Sequence, residues 1–284
     1  MDLFHALILG IVQGLTEFLP ISSSAHLLIV PWLFGWTEES LTSLSFDVAL
    51  HMGTVLAVVA YFAADWRGLI AAFFRSVAER RIGDDPNRRL VWLIILGSIP
   101  AALVGVFAEE KIEEVFHDAG GVATAMTIIA VMMIVMGALL LLAERVSKHT
   151  IDLTHIRAPQ ALGIGAAQAL ALIPGVSRSG STITAGLFFG LRRDTAARFS
   201  FLLSTPIVLG AGLKKAYDVM QAGGIPQDQI GGFIVGFLAA AISGFLCIAF
   251  LLRYLQRNTM APFIWYRFMV GILLLVLVFL GFRA

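Results

Sequence analysis

Six stretches of this sequence stay apolar for long enough to cross a membrane as helices: Ser45–Ala64, Leu90–Ala108, Val122–Ala143, Ala197–Leu213, Ile230–Leu252 and Ala261–Phe282. A helix needs about 20 such residues to traverse ~30 Å of hydrocarbon, and no other feature limits the possible folds so strongly. Composition agrees. Of the 284 residues, 58% are hydrophobic and 14% charged, whereas soluble domains carry about a quarter charged residues. A water-soluble globule with that deficit would expose more apolar surface than it tolerates. With 20 basic and 19 acidic residues the net charge is +1, which excludes nucleic acid as the main partner because that needs a concentrated basic face. The single Cys247 makes neither an internal disulfide nor a zinc site. Asp2 in place of a basic start, and an apolar run that continues into Gln13 and Glu17, argue against a signal peptide.

Two further apolar stretches are interrupted. Phe4–Leu33 is broken by Pro20 and Ser22-Ser23-Ser24, and Gln160–Leu191 by Pro174, Gly175 and the run Ser177-Arg178-Ser179-Gly180-Ser181-Thr182. Each half is too short to span, and each break frees backbone groups that lipid cannot satisfy. Such backbone survives at membrane depth only inside protein or along a wet cavity. Both stretches are therefore expected to be re-entrant helix–loop–helix hairpins; two full spans with polar defects are the alternative.

The loop charges set an orientation. Arg67, Arg75, Arg80, Arg81, Arg88 and Arg89 follow the first span, and Arg145, Lys148, Arg157, Arg192, Arg193, Arg198, Arg253 and Arg257 join them on one side. That is 14 of the 20 Lys and Arg. Lys111, Lys214, Lys215 and Arg283 fall opposite, next to the acidic Glu109-Glu110 and Glu113-Glu114. The basic side is expected inside, with both termini outside. Counting each hairpin as two spans leaves this distribution unchanged, so charge fixes the orientation and not the re-entrancy.

Sliding the chain by 155 positions superposes Ala6-Leu7 on Ala161-Leu162, Gly10 on Gly165, Gln13 on Gln168, Leu15 on Leu170, Ser22 on Ser177 and Ser24 on Ser179. These are seven identities in nineteen positions. An all-α membrane fold of two repeats is predicted, residues 1–150 and 158–284. Each has one re-entrant hairpin (4–33 and 160–191) and three transmembrane helices. Three spans are an odd number, so the second repeat is inverted, and the two interruptions are expected to meet near the midplane.

The residues at those interruptions suggest phosphate chemistry. Gln13 and Glu17 share a helical face at i, i+4, followed by Ser22, Ser23, Ser24 and His26. Intramembrane ionisable groups are costly and usually functional, which selects Glu17, His26 and Arg178; a merely structural Glu17–Arg178 pair leaves the hydroxyls unexplained. Gly175 and Gly180 admit a close ligand, serine-rich turns opening helices present N–H donors, and Arg178 offers a planar fork. Glu17 suits a divalent cation or a proton acceptor. A hydroxyl beside a carboxylate and a histidine suits a nucleophile. Asp47 and His51, again i, i+4, rank lower, as a cavity pair or an interfacial one. Arg267 reads as a headgroup contact, a snorkelling residue or the partner of an acid, and Gln168 as an interhelical hydrogen-bonding residue matching Gln13.

The segments Gln13-Gly14-Leu15-Thr16-Glu17 and Pro174-Gly175-Val176-Ser177-Arg178-Ser179-Gly180-Ser181-Thr182 resemble the two signature motifs of the undecaprenyl-diphosphate phosphatase family, the BacA/UppP type associated with bacitracin resistance. Length, repeat and span pattern resemble that family over essentially the whole chain. The resemblance implies an enzyme of the bacterial inner membrane that removes the terminal phosphate of undecaprenyl diphosphate, in a pocket opening to the periplasm, with Mg²⁺ or Ca²⁺ as helper. By position, Glu17 and His26 would be catalytic, Ser23 a nucleophile and Arg178 the phosphate clamp. Ser22, Ser24, Ser177, Ser179 and Thr182 would bind phosphate, supported by Gln13, Gly175 and Gly180. Glu17 would be the metal ligand; Gln13 stands where many members have a second glutamate, so a two-carboxylate metal scheme does not transfer. The implied partners are the polyprenyl diphosphate lipid and the bilayer, with a homodimer left open. Inverted repeats are also frequent in transporters, which makes a polyprenyl-phosphate flippase the rival reading.

Overall fold

The computed structural model describes residues 2–41, 43–117, 121–221 and 223–283, and only the backbone of 108–117. The acidic cluster Glu109, Glu110, Glu113 and Glu114, with Lys111, therefore has side chains outside the described residues. The described chain is helical, with no strand in it. Helices α1 (Leu3–Phe18) and α2 (Ser23–Phe34) form the first interrupted stretch, and α7 (Ala158–Ala169) and α8 (Arg178–Phe188) the second. Between and after them run α3 (Leu44–Tyr61), α4 (Ala63–Ala78), α5 (Pro86–His117), α6 (Val122–Val146), α9 (Arg193–Gln221), α10 (Ile230–Leu255) and α11 (Ala261–Phe279). Among the described residues, six of these are long and apolar enough to cross a membrane: α3, α5, α6, α9, α10 and α11. These are the six segments expected from the sequence, with shifted ends.

One segment differs from the expectation. The stretch after the first span, read as a connection, is the helix α4. It buries Leu69, Ala72 and Ser76, and the Ser76 hydroxyl accepts a hydrogen bond from Trp92 Nε1 at 2.9 Å. Its arginines mask an amphipathic face that packs on α5.

Local chemistry sets the two breaks. Helix α1 stops before Pro20, whose ring disfavours a helical predecessor. Ser22 caps α2, its hydroxyl accepting from the Ala25 N–H at 3.4 Å. Ser177 caps α8 in the same way, from Gly180 N at 3.0 Å. Both caps sit at positive φ, +77° for Ser22 and +75° for Ser177. Side chains rarely adopt that conformation, and they keep it only where the surroundings enforce it.

Helix packing brings the breaks together. Helix α1 lies along α10, α7 along α5, α3 between α9 and α10, and α6 against α11. Glycine makes the first two contacts possible: a Cβ at Gly14 would stand 2.6 Å from the Ala240 carbonyl, and one at Gly165 only 1.8 Å from the Gly97 carbonyl. Small residues at such crossings allow the backbones to approach closely. The largest apolar core lies behind α8, α9 and α10, with Ile183, Leu187, Phe199, Leu202 and Ile248 almost wholly buried. The segment joining α6 to α7 is tied down where the Ile151 N–H bonds the Gly190 carbonyl and the Arg192 N–H bonds that of Ile151. Beside it, hydrogen bonds from the Thr154 and His155 side chains pull the exposed Asp152 carboxyl down to about 2.

Candidate active site

The last two turns of α1 carry Gln13 and Glu17 on one face, and the first turns of α2 and α8 carry Ser23 and Arg178. These three helix ends converge. Glu17 accepts a hydrogen bond from Ser23 Oγ at 2.6 Å and one from Gln13 Nε2 at 3.2 Å, both on Oε2. Its other oxygen is paired with Arg178 Nη2, across 161 positions of sequence. The Glu17 side chain keeps 8% of its exposure and that of Arg178 21%, so the guanidinium is the member of the pair that faces outward. One nitrogen of its fork holds the carboxylate, leaving further N–H donors for an anion.

The remaining predicted residues divide into two groups. Ser23, Ser24, Ser177 and Arg178 line a cavity of about 330 Å³. Its other walls are Asp47 and His51 of α3, Gln168 of α7, Lys215 of α9 and an apolar side from α5 and α9 that includes Ala101 and Ile207. Ser22, Ser179 and Thr182 sit behind this wall, buried. Ser22 and Ser24 hydroxyls are 3.3 Å apart and those of Ser177 and Ser179 3.2 Å. Ser179 Oγ also donates to the Leu19 carbonyl at 2.9 Å, tying the second break to the first. Thr182 bonds the Arg178 carbonyl at 2.8 Å and Ser200 Oγ at 2.6 Å. Gly175 is at φ +90°, and a Cβ there would meet the Ile129 carbonyl at 2.9 Å.

His26 is placed near these groups but turned away from the cavity lining. It retains 6% exposure. Its Nδ1–H donates to the Ser22 carbonyl at 2.6 Å, and Nε2 accepts from the Tyr266 hydroxyl at 2.7 Å. That assignment follows because a carbonyl only accepts. Both ring nitrogens are thus occupied.

Arg267 differs from all three roles considered for it. It is fully buried, and the groups its guanidinium bonds are backbone carbonyls. Nη1 donates to Pro20 at 2.8 Å, Nη2 to Gly175 at 2.8 Å and Val176 at 3.0 Å, and Nε to Met133 at 3.2 Å. One side chain therefore ties both breaks and α6 together. No periodicity marks it out; the only sequence signal is an arginine inside an apolar span. Gln168, expected as an interhelical hydrogen-bonding residue, lines the cavity, and both its amide atoms are buried without a hydrogen-bond partner among the described residues. Its register with Gln13 was the signal that placed it at the site.

Mg²⁺ and Ca²⁺ require several oxygen ligands. Glu17 has both its oxygens engaged and a guanidinium alongside that repels a dication, and the second carboxylate of the cavity wall, Asp47, stands beside His51. Among the described residues, the cluster of three carboxylate and histidine groups within ligating reach of one another is Asp2, His5 and Glu38, at the far end of α1. The donor set at Glu17 does not fit a cation held by the protein alone.

Fold and centre together define a multi-helix membrane protein in which a pair of opposite charges and a carboxylate-bound hydroxyl sit beside a cavity. The chain belongs to the family described as Bacitracin resistance protein BacA, whose model matches residues 6–273. It is 49% identical to a protein of Thermomicrobium roseum named undecaprenyl-diphosphatase, over 98% of this chain and 99% of that one. Proteins of the same name from Geobacter sulfurreducens (48%, covering 95% of this chain and 96% of that one) and Pelotomaculum thermopropionicum (47%, 98% and 97%) are similar throughout.

Proposed function

We propose that this protein is an enzyme that hydrolyses the terminal phosphate of undecaprenyl diphosphate. The products are inorganic phosphate and undecaprenyl phosphate, the lipid carrier that cell-wall synthesis reuses. The observation that carries this reading is the Ser23–Glu17–Arg178 constellation: a hydroxyl already bonded to a base, beside a cation that faces a cavity. The relatives' printed name supports the substrate.

The proposed chemistry follows from the geometry. Arg178, the Ser24 and Ser177 hydroxyls and the N–H groups opening α2 and α8 hold the phosphate oxygens. Ser23 Oγ attacks the terminal phosphorus and its proton passes to Glu17 Oε2. The bond to the bridging oxygen breaks, and undecaprenyl phosphate leaves. Water then attacks the phosphorus carried on Ser23; the bond to Ser23 Oγ breaks, Oγ takes back the proton held on Glu17, and inorganic phosphate is released with the hydrogens of the water. Neutralisation and positioning are the main contributions, as in phosphoryl transfer generally. His26 is assigned a holding role on Ser22. A divalent cation, Mg²⁺ or Ca²⁺, is proposed to arrive on the diphosphate, whose own oxygens supply most of its ligands.

The same proposal includes the architecture. Helices α1, α2, α7 and α8 have 16, 12, 12 and 11 residues. At 1.5 Å per residue they reach about 24 Å at most, short of ~30 Å of hydrocarbon, which supports re-entrant hairpins. Residues 155 apart play matching parts: Ser22 and Ser177 as strained caps, Pro20 and Gly175 as acceptors of the Arg267 fork, Gly10 and Gly165 as close-contact glycines. This supports inverted repeats over 1–150 and 158–284. Asp47 at the start of α3 and Lys215 near the end of α9 line one mouth of the cavity. The charge rule puts that mouth outside, so a periplasmic opening in the bacterial inner membrane, with both termini periplasmic, is proposed. Every site residue comes from one chain; a homodimer is a further proposal, decided by size measurement in detergent.

The test is phosphate release from undecaprenyl diphosphate by purified protein in detergent, with and without chelator. Turnover that collapses in both Glu17→Ala and Arg178→Ala, with folding intact, is expected. A folded wild-type protein that releases no phosphate, yet moves the lipid across proteoliposomes, overturns the reading in favour of transport.

A further inference from the structure

The proposed reaction needs a proton for the oxygen that leaves, and Glu17 is on the wrong side of the exchange to give one, since it has just received the proton of Ser23. His26 is closed off by its two partners. The histidine on the cavity wall is His51. Its ring Nδ1–H donates to the Asp47 carbonyl at 2.9 Å, and the Asp47 carboxylate stands 3.4 Å from the same nitrogen. The ring keeps 25% exposure. Nε2 has no hydrogen-bond partner among the described residues. Backbone and carboxylate thus fix the ring orientation and leave one nitrogen for the cavity that Ser23, Ser24 and Arg178 also line.

We propose that His51, oriented by Asp47, is a catalytic residue of this protein: its Nε2–H gives a proton to the bridging oxygen as undecaprenyl phosphate leaves. This rests on the phosphatase reading above. As Ser23 Oγ bonds the terminal phosphorus, the phosphorus–bridging-oxygen bond breaks. The electron pair goes to the leaving phosphate, which takes the His51 proton, and the Ser23 proton is on Glu17. In the second half-reaction water gives one proton to His51 as its oxygen bonds the phosphorus, and Ser23 Oγ leaves with the proton held on Glu17, which restores all three groups. The charged groups facing His51 are Asp47 on its own helix, Glu17 on α1, Arg178 on α8 and Lys215 on α9. The 230–252 stretch of α10 packed on α3 carries no charge, and Glu39, ahead of α3, and Asp65, on α4, lie outside the lining.

The experiment is the pH profile of undecaprenyl diphosphate hydrolysis by the purified full chain, wild type against His51→Gln and Asp47→Asn. A general acid must be protonated to act, so wild-type kcat is expected to fall towards alkaline pH. His51→Gln is expected to lower kcat about 100-fold, the usual scale for a general acid, to change KM by less than about threefold, and to flatten that alkaline limb. Asp47→Asn removes the nearest negative charge and is expected to move the limb to lower pH, which tests the proposal even where His51→Gln fails to fold. A wild-type kcat and an unshifted alkaline limb in both variants overturn it. Absence of hydrolysis by the wild type defeats the phosphatase reading itself, a different result from an active wild type with indifferent variants.

Discussion

At the scale of single residues, the centre depends on one carboxylate with three donors and one guanidinium with spare donors. Glu17→Gln keeps the shape and removes the base, so kcat for phosphate release is expected to fall by about 10²–10⁴ with little change in KM. Arg178→Lys replaces a planar fork with a point charge and is expected to retain only part of the activity, against near-complete loss in Arg178→Ala. Gln168 has both amide atoms unpartnered at the cavity wall, and unsatisfied buried groups are costly unless a ligand or water meets them. Gln168→Ala is accordingly expected to raise KM for the diphosphate more than it lowers kcat. Glu17, Ser23 and Arg178 were legible in the sequence because charge and hydroxyl in apolar surroundings are rare. His26 was equally conspicuous, but its partner is Tyr266, 240 positions away, and local sequence carries no sign of that bond.

Among the elements, two contacts carry the geometry. Arg267 on α11 joins both breaks through three carbonyls and α6 through a fourth, and hydrogen bonds to a charged donor are each worth ~1.5–3 kcal/mol. Arg267→Met is expected to lower the thermal midpoint and to abolish activity, whereas a variant of an exposed arginine such as Arg80 leaves both unchanged; thermal unfolding in detergent measures the difference. The second contact is the close crossing of α5 and α7. A methyl at Gly165 would stand 1.8 Å from the Gly97 carbonyl, whereas a Cβ at Gly210 of α9 meets nothing within 4 Å. Gly165→Ala is expected to destabilise by about 1–3 kcal/mol through forced separation of the helices. Gly210→Ala is expected to be neutral or stabilising by about 0.5–1 kcal/mol, since alanine is the better helix former. The six spans could be read from length and hydrophobicity alone, but α4 could not, because its arginines match the pattern of a basic connection.

For the whole molecule, orientation is the testable property. With Cys247→Ser as background, a cysteine placed at Asp228 is expected to react with an impermeant thiol reagent in intact cells, and one at Asn258 only after permeabilisation; the reverse pattern inverts the assigned orientation. Membrane class, the number of spans, the two broken stretches and their 155-residue register came from the sequence by itself, because hydrocarbon imposes length and polarity rules that a one-dimensional string obeys openly. Which polar side chains face the cavity, which are tied to carbonyls behind it, and that Arg267 holds the two breaks together were decided by the tertiary structure alone. Those outcomes depend on helix rotation and on contacts between residues hundreds of positions apart, where a shift of one residue in register turns a side chain from the cavity to the core.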